Sequence, residues 1–251
     1  MDWFITAFGW YLTLLILGIG FFPLARRFFD SFFDHGYPFA KTIGILLISY
    51  ALFLFGSLHI LPFVWPSVAL VTTLFFLANF LLFRVKKQRF NFRLLIFEEL
   101  LFFVSFFFLV FTRGQEPSVR GLEKFMDFGF MNSILRSKFF PPLDMWLSGT
   151  VAQPQGFPIN YYYFGHLTGA FLIRLTDTPP SAGYNLILAT IFAQGITLGF
   201  SLCFNLIFLF EKLILKAKKV NILVISLFGL LGSYIINLGG NLHTIYLFTK
   251  G

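Results

Sequence analysis

Residues 3–22 read WFITAFGWYLTLLILGIGFF without one charged side chain, and runs of this kind recur along the chain. Comparable apolar runs occupy 42–61, 63–83, 94–111, 184–210 and 221–238. A helix of about 20 apolar residues is what crosses about 30 Å of hydrocarbon. The runs therefore predict an all-α polytopic membrane protein with about six transmembrane helices. Composition agrees, since 57% of residues are apolar and only 12% are charged, roughly half the charge of a soluble domain. The first run lacks the basic flank of a signal peptide and is expected to stay as a retained span.

The net charge of +8 points to membrane topology rather than to nucleic acid, because of where the basic residues sit. Arg84, Lys86, Lys87, Arg89 and Arg93 crowd one short loop; Lys212, Lys216, Lys218 and Lys219 crowd another. Short basic loops between apolar runs mark the cytoplasmic side. HILPFVWP at 59–66 makes a tight turn between the second and third spans, because proline disfavours continued helix. Residues 23–41, with paired aromatics beside Arg26, Arg27, Asp30 and Asp34, are expected to form an interfacial amphipathic helix.

If both basic loops are cytoplasmic, an even number of spans separates them. Spans 94–111 and 184–210 satisfy that, so 159–175 (INYYYFGHLTGAFLIRL) is expected to lie along the membrane surface. Asn160, His166 and Arg174 also suit it poorly to crossing. The N-terminus and the 112–183 segment then fall on the non-cytoplasmic side of the cell membrane. Of 19 basic residues, the three inner segments hold three, five and four, and the longer outer segment holds six. Glu98 and Glu99 lie about one turn into span 94–111, where they face the interface or pair with Arg93.

Within the outer segment, 122–137 is predicted to be a helix whose Leu122, Phe125, Met126, Phe130, Met131 and Ile134 form an apolar face. Glu123 and Asp127 are one turn apart on one face near its start. Such a pair can supply a general base with a helper, or ligands for a divalent cation. It can equally form ordinary ion pairs, Glu123 with Arg120 and Asp127 with Lys124. Pro141-Pro142 ends the helix, and Asp144 follows as an acidic ligand or a turn cap, with Trp146 at the interface. Three adjacent tyrosines, Tyr161, Tyr162 and Tyr163, point about 100° apart if helical. They serve either as an aromatic belt or, with Asn160 and His166, as a polar pocket for phosphate or sugar hydroxyls. The lone Cys203 excludes an intrachain disulfide and a cysteine-rich zinc site, and His166, alone in its segment, makes a zinc cluster improbable. No P-loop, dinucleotide fingerprint, HExxH or nucleophile elbow is present.

The ordered combination EKFMDFGFMNSILRSKFFPPLDMW…INYYYFGHLTG resembles the "YYY" integral membrane proteins of bacteria and archaea, grouped with GT-C membrane glycosyltransferases. The resemblance covers about 113–240. Two departures stand out: Asp144-Met145-Trp146 replaces the usual DPW, and TVAQPQGFP sets the tyrosines further downstream. The resemblance implies a sugar leaving a polyprenyl-phosphate carrier with inversion, by analogy with lipid-linked aminoarabinose transferases and protein mannosyltransferases. It implies Glu123 as the catalytic acid opening the first surface helix, with Asp127 competing for the role. Arg113, Arg120, Lys138 and Arg174 would neutralise the phosphate, and Lys124, Asp144, Trp146, Asn160, Tyr161, Tyr162, Tyr163 and His166 would contact substrate. A divalent cation, Mg or Mn, would sit on Asp127 and Asp144.

The expected organisation is an N-terminal three-span region, 1–93, followed by a GT-C-like core portion, 94–251. That core is expected to be completed by a missing C-terminal half or a partner subunit, without which the chain is inactive. Expected partners are membrane lipid and a lipid-linked sugar donor, with no nucleic acid. Two other classes compete: a transporter or channel component, in which residues within the spans dominate, and a non-catalytic assembly subunit.

Overall fold

The computed structural model describes residues 3–83, 91–121, 123–240 and 243–250. Most of the 84–93 basic loop and Leu122 lie outside the described residues. Among the described residues the chain is all-helical. Helices α1 (Trp3–Phe28), α2 (Tyr37–Ser57), α3 (Trp65–Phe83) and α4 (Phe92–Gln115) come first. Two short helices follow, α5 (Lys124–Arg136) and α6 (Phe164–Thr176). The long α7 (Pro180–Leu209) runs into a π-turn at Phe210–Ile214, then α8 (Ile222–Leu238) and α9 (His243–Lys250).

Five of these, α1, α2, α3, α4 and α7, are long and apolar enough to cross a membrane. The 17-residue α8 is shorter, near the lower limit for a span. The α4 helix shows why this is a lipid-facing architecture. Ile96, Leu100, Val104, Phe108 and Phe111 form an exposed stripe, while Glu98 and Ser105 are buried on the opposite face beside Phe102 and Phe106. A soluble helix would expose its polar side; here apolar groups face outward and polar groups face protein.

The interior is dense with rings. Tyr11 of α1 meets Phe103 edge-on at 5.1 Å and lies over Phe102 at 6.3 Å, and Phe102 and Phe106 stack one turn apart at 6.1 Å. Offset and edge-on pairs of this kind add to the area they bury. Helices α7 and α8 close together instead through small residues. The Ser233 hydroxyl donates to the Ile196 carbonyl at 2.6 Å, and a Cβ on Gly232 would sit 2.5 Å from Cys203 Sγ. Small residues that let backbones approach replace hydrophobic burial as the adhesive between membrane helices.

Two expectations are corrected. No interfacial helix spans 23–41: α1 continues through Pro23 to Phe28, and a turn at 29–36 leads into α2. Arg26 and Arg27 sit in the last turn of α1, where cations suit the helix dipole, so charge ends the apolar run without ending the helix. Gly36 fits the turn because its φ is 72° and a Cβ would lie 2.5 Å from the Phe29 ring. The tyrosine triplet, secondly, is not helical. Tyr161 to Tyr163 precede α6, with Tyr163 as its N-cap residue. Buried Leu167, Ala170, Phe171, Leu172 and Ile173 wedge α6 into the protein, so it does not lie on the membrane by an exposed apolar face.

Candidate functional site

The α5–α6 pair rests on one end of the bundle. Phe128 of α5 meets Tyr184 at the start of α7 edge-on at 6.0 Å. Phe164 of α6 meets Phe53 near the end of α2 at 6.0 Å. The Arg174 guanidinium donates to the Leu135 carbonyl and lies 5.7 Å from the Phe63 ring centroid. Arg174 therefore ties α6 to α5 and to the α2–α3 connection, and it is not placed with the acids.

At the start of α5, Asp127 sits in the first turn and Glu123 is the N-cap residue, with no cap bond from its side chain. Asp127 Oδ1 lies 3.2 Å from His166 Nε2, an ion pair across 39 residues when the imidazole is protonated. Phe130, about one turn beyond Asp127, stacks on Tyr161 at 5.5 Å and lies 5.2 Å from His166. Tyr161 stacks in turn on Tyr162 at 4.0 Å and donates its hydroxyl to the Tyr162 oxygen at 2.7 Å. That hydrogen bond, with smaller effects that include the charges of Glu123 and Asp127, holds the Tyr161 phenol above its usual ionisation range. Tyr163 turns away between Phe53 and Phe140, at 6.1 and 6.3 Å, and burial raises its phenol as well. The three phenols diverge: two exposed beside the acids, one structural.

The expected Asp127–Lys124 pair gives way to Asp127–His166, and no Glu123–Arg120 ion pair forms among the described residues. Asn160 and Arg120 are exposed, as is Lys138, while Lys124 is half-buried. The Arg113 guanidinium donates to Asn185 Oδ1 at 2.8 and 2.6 Å and to the Ser118 carbonyl at 3.2 Å, joining α4 to α7. It lines a cavity of 510 Å³ that also touches Trp3 and Gln115.

Asp144 belongs elsewhere. Its Oδ1 accepts from the Trp146 and Leu147 amides at 2.7 and 3.3 Å, the turn-capping role. Its own amide donates to the Phe157 carbonyl at 2.8 Å, and Trp146 packs edge-on against Phe125 at 5.9 Å. A 760 Å³ cleft beside Asp144 is lined by Gly129, Asn132, Ser133 and Arg136. Those positions lie roughly opposite Asp127 around α5, at about 100° per residue. Asp127 and Asp144 are thus not brought together for a shared metal. No group of three or more His, Cys, Asp or Glu side chains suited to a metal occurs among the described residues.

A second polar centre escaped the sequence reading. Glu99 pairs with neither the interface nor Arg93. Lys41 Nζ forms an ion pair with Glu99 Oε2, Tyr37 donates to that oxygen at 2.7 Å, and Tyr11 donates to Oε1 at 3.0 Å. Beside it, Asp34 and Glu98 are each 1% exposed. Asp34 accepts from the Gly36 amide at 2.7 Å, from Asn205 Nδ2 at 2.8 Å and from the Ser201 hydroxyl. Asn205 inside an apolar run and Lys41 at the edge of one were the available signals, since polar groups within spans are seldom idle.

No curated protein and no solved structure matches this chain. A family match runs across residues 47–251, which takes in α3 through α9, the Asp127–His166 pair and the tyrosine triplet. The chain belongs to the DUF2298 family of uncharacterized membrane proteins.

Proposed function

We propose that this membrane protein is a GT-C-like glycosyltransferase, or the N-terminal part of one, acting on a sugar carried by a polyprenyl phosphate at the non-cytoplasmic face. The observation that carries the reading is the Asp127–His166 pair, which fixes the start of α5 against α6 beside exposed Glu123 and the Tyr161–Tyr162 stack. Asp127 spends an oxygen on His166, whereas Glu123 enters no ion pair among the described residues. Glu123 is therefore assigned as the proton acceptor and Asp127 as the group that positions it. In the proposed step the acceptor hydroxyl gives its proton to Glu123 and its oxygen attacks the anomeric carbon. The bond from that carbon to the phosphate oxygen breaks, and the phosphate leaves with the electron pair. Arg120 and Lys124, which flank Glu123 in sequence, would offset the charge on the leaving phosphate.

The test offers a panel of polyprenyl-phosphate sugars to membranes containing the full chain. Glu123→Gln is expected to lower transfer by about 10²–10⁴-fold, the usual contribution of a general base, with insertion unchanged. Transfer that persists within a few-fold of wild type would remove the assignment. A transport function is the second reading, favoured by the buried charges around Glu99. It predicts that Glu98 and Glu99 variants dominate the phenotype and that Glu123→Gln is silent.

A further inference from the structure

We propose that Glu98 and Asp34 form a buried proton-binding site, one proton being shared by the two carboxyl groups where α4 meets the turn between α1 and α2. The inference is independent of the transferase reading. It rests on a mismatch of donors. Asp34 has three, from Gly36, Ser201 and Asn205. Neither oxygen of Glu98 receives an N–H or O–H, although the side chain is 1% exposed. The group facing Glu98 closely enough to hydrogen-bond is the Asp34 carboxyl, and two carboxylates can hydrogen-bond only when one of them holds a proton.

One charged neighbour, Lys41, opposes the proton, and the others favour it. From α2, Lys41 faces Glu98, but its ammonium is committed to Glu99. Glu99, the neighbour on α4, adds a further negative charge, and Tyr37 is a neutral phenol spent on Glu99. The phenol that α1 contributes, Tyr11, is likewise spent on Glu99. From α7 the contacts on Asp34 are Ser201 and Asn205, which are uncharged. With every carboxyl ionised, three anions would share one ammonium out of water. Burying unpaired charge costs far more than holding one proton. A metal ion is the poorer occupant, since no suitable ligand group occurs among the described residues.

A cleft of 740 Å³ opens near the pair. It is lined by Phe33 and His35, the residues on either side of Asp34, and by Asn91 and Arg93 at the start of α4. Glu98 lies six residues beyond Phe92, about 9 Å along the helix. The pair thus sits below the cleft and inside the bundle, and its proton links α4, the 29–36 turn and α7.

A hydrophobic fluorescent carbodiimide reports this state directly. It adds the O–H of a protonated, water-shielded carboxyl across one C=N bond and leaves ionised carboxylates alone. Applied near neutral pH to membranes holding the full chain, it is expected to mark Glu98, located by peptide mass spectrometry, and to mark it less as pH rises. Glu98→Gln loses the label, and Asp34→Asn, whose amide donates to Glu98 in place of the proton, loses most of it. Failure to label Glu98, or labelling indifferent to Asp34→Asn, overturns the site. Where a variant folds poorly, infrared spectra of the wild-type protein decide. A protonated-carboxyl stretch at neutral pH that shifts in heavy water supports the shared proton, and its absence refutes it.

Discussion

Glu99 draws donors from two other helices, Lys41 and Tyr37 of α2 and Tyr11 of α1, and so makes one carboxylate the junction of α1, α2 and α4. The Lys41 side chain is 3% exposed and that of Glu99 16%, so water compensates little for a missing partner. Lys41→Met should then cost about 3–5 kcal/mol, the usual penalty for stranding one half of a buried pair. Lys41→Met with Glu99→Gln should recover much of the loss, because neither half of that pair is then left charged without the other. Thermal unfolding in detergent measures both, and equal stability of the single and double variants would contradict the junction. Residue spacing could not reveal it. Helical periodicity pairs a carboxylate with neighbours three or four residues away, which is why Lys124 looked like the partner of Asp127. The actual partner, His166, is 39 residues distant and arrives only when α6 docks. The tyrosines misled for a related reason: angular spacing on a helix was applied to residues that lie just before one.

At the scale of elements the apolar runs were a good guide, since crossing hydrocarbon imposes a length and a composition that a sequence displays openly. Two starts were also fixed locally. Asn91 accepts from the Leu94 amide at 3.4 Å and Asn221 from the Val224 amide at 3.3 Å, side-chain caps on α4 and α8. What composition could not display was which faces meet, because every face of a spanning helix is apolar enough. The α7–α8 seam is decided by absent side chains. A Cβ at Gly232 would lie 2.5 Å from Cys203 Sγ and 3.0 Å from its Cβ. Gly232→Val should therefore part the two helices and cost about 1–3 kcal/mol, as overpacking usually does. Adding Cys203→Ala removes the sulfur and should restore part of that stability. If Cys203→Ala brings no recovery in the same unfolding assay, the seam is not where the valine acts.

Across the whole molecule, the ends of the helices sort the chemistry onto two faces. The 29–36 turn and the α7–α8 connection with its lysines belong to one end of the bundle, and so does the start of α4. The ends of α2 and α4 and the starts of α3 and α7 gather at the other, where α5 and α6 rest on Phe53, Phe63 and Tyr184. With 13 residues, α6 extends about 20 Å, too short for a span, so α4 and α7 have to enter and leave by the same face. The positive-inside rule predicts the lysine end in the cytoplasm and, with it, the acid-bearing ledge outside. Cysteine accessibility tests this arrangement, because Ser148 is exposed beyond α5 and Ala217 lies between α7 and α8. In a Cys203→Ala background, a membrane-impermeant maleimide applied to intact cells should label Ser148→Cys at once and Ala217→Cys only after permeabilisation. Labelling of both from one side would put an even number of crossings between them, where the arrangement has α7 alone. The ledge would then lose its outward face, and a carrier phosphate in the outer leaflet would have no carboxylate to meet.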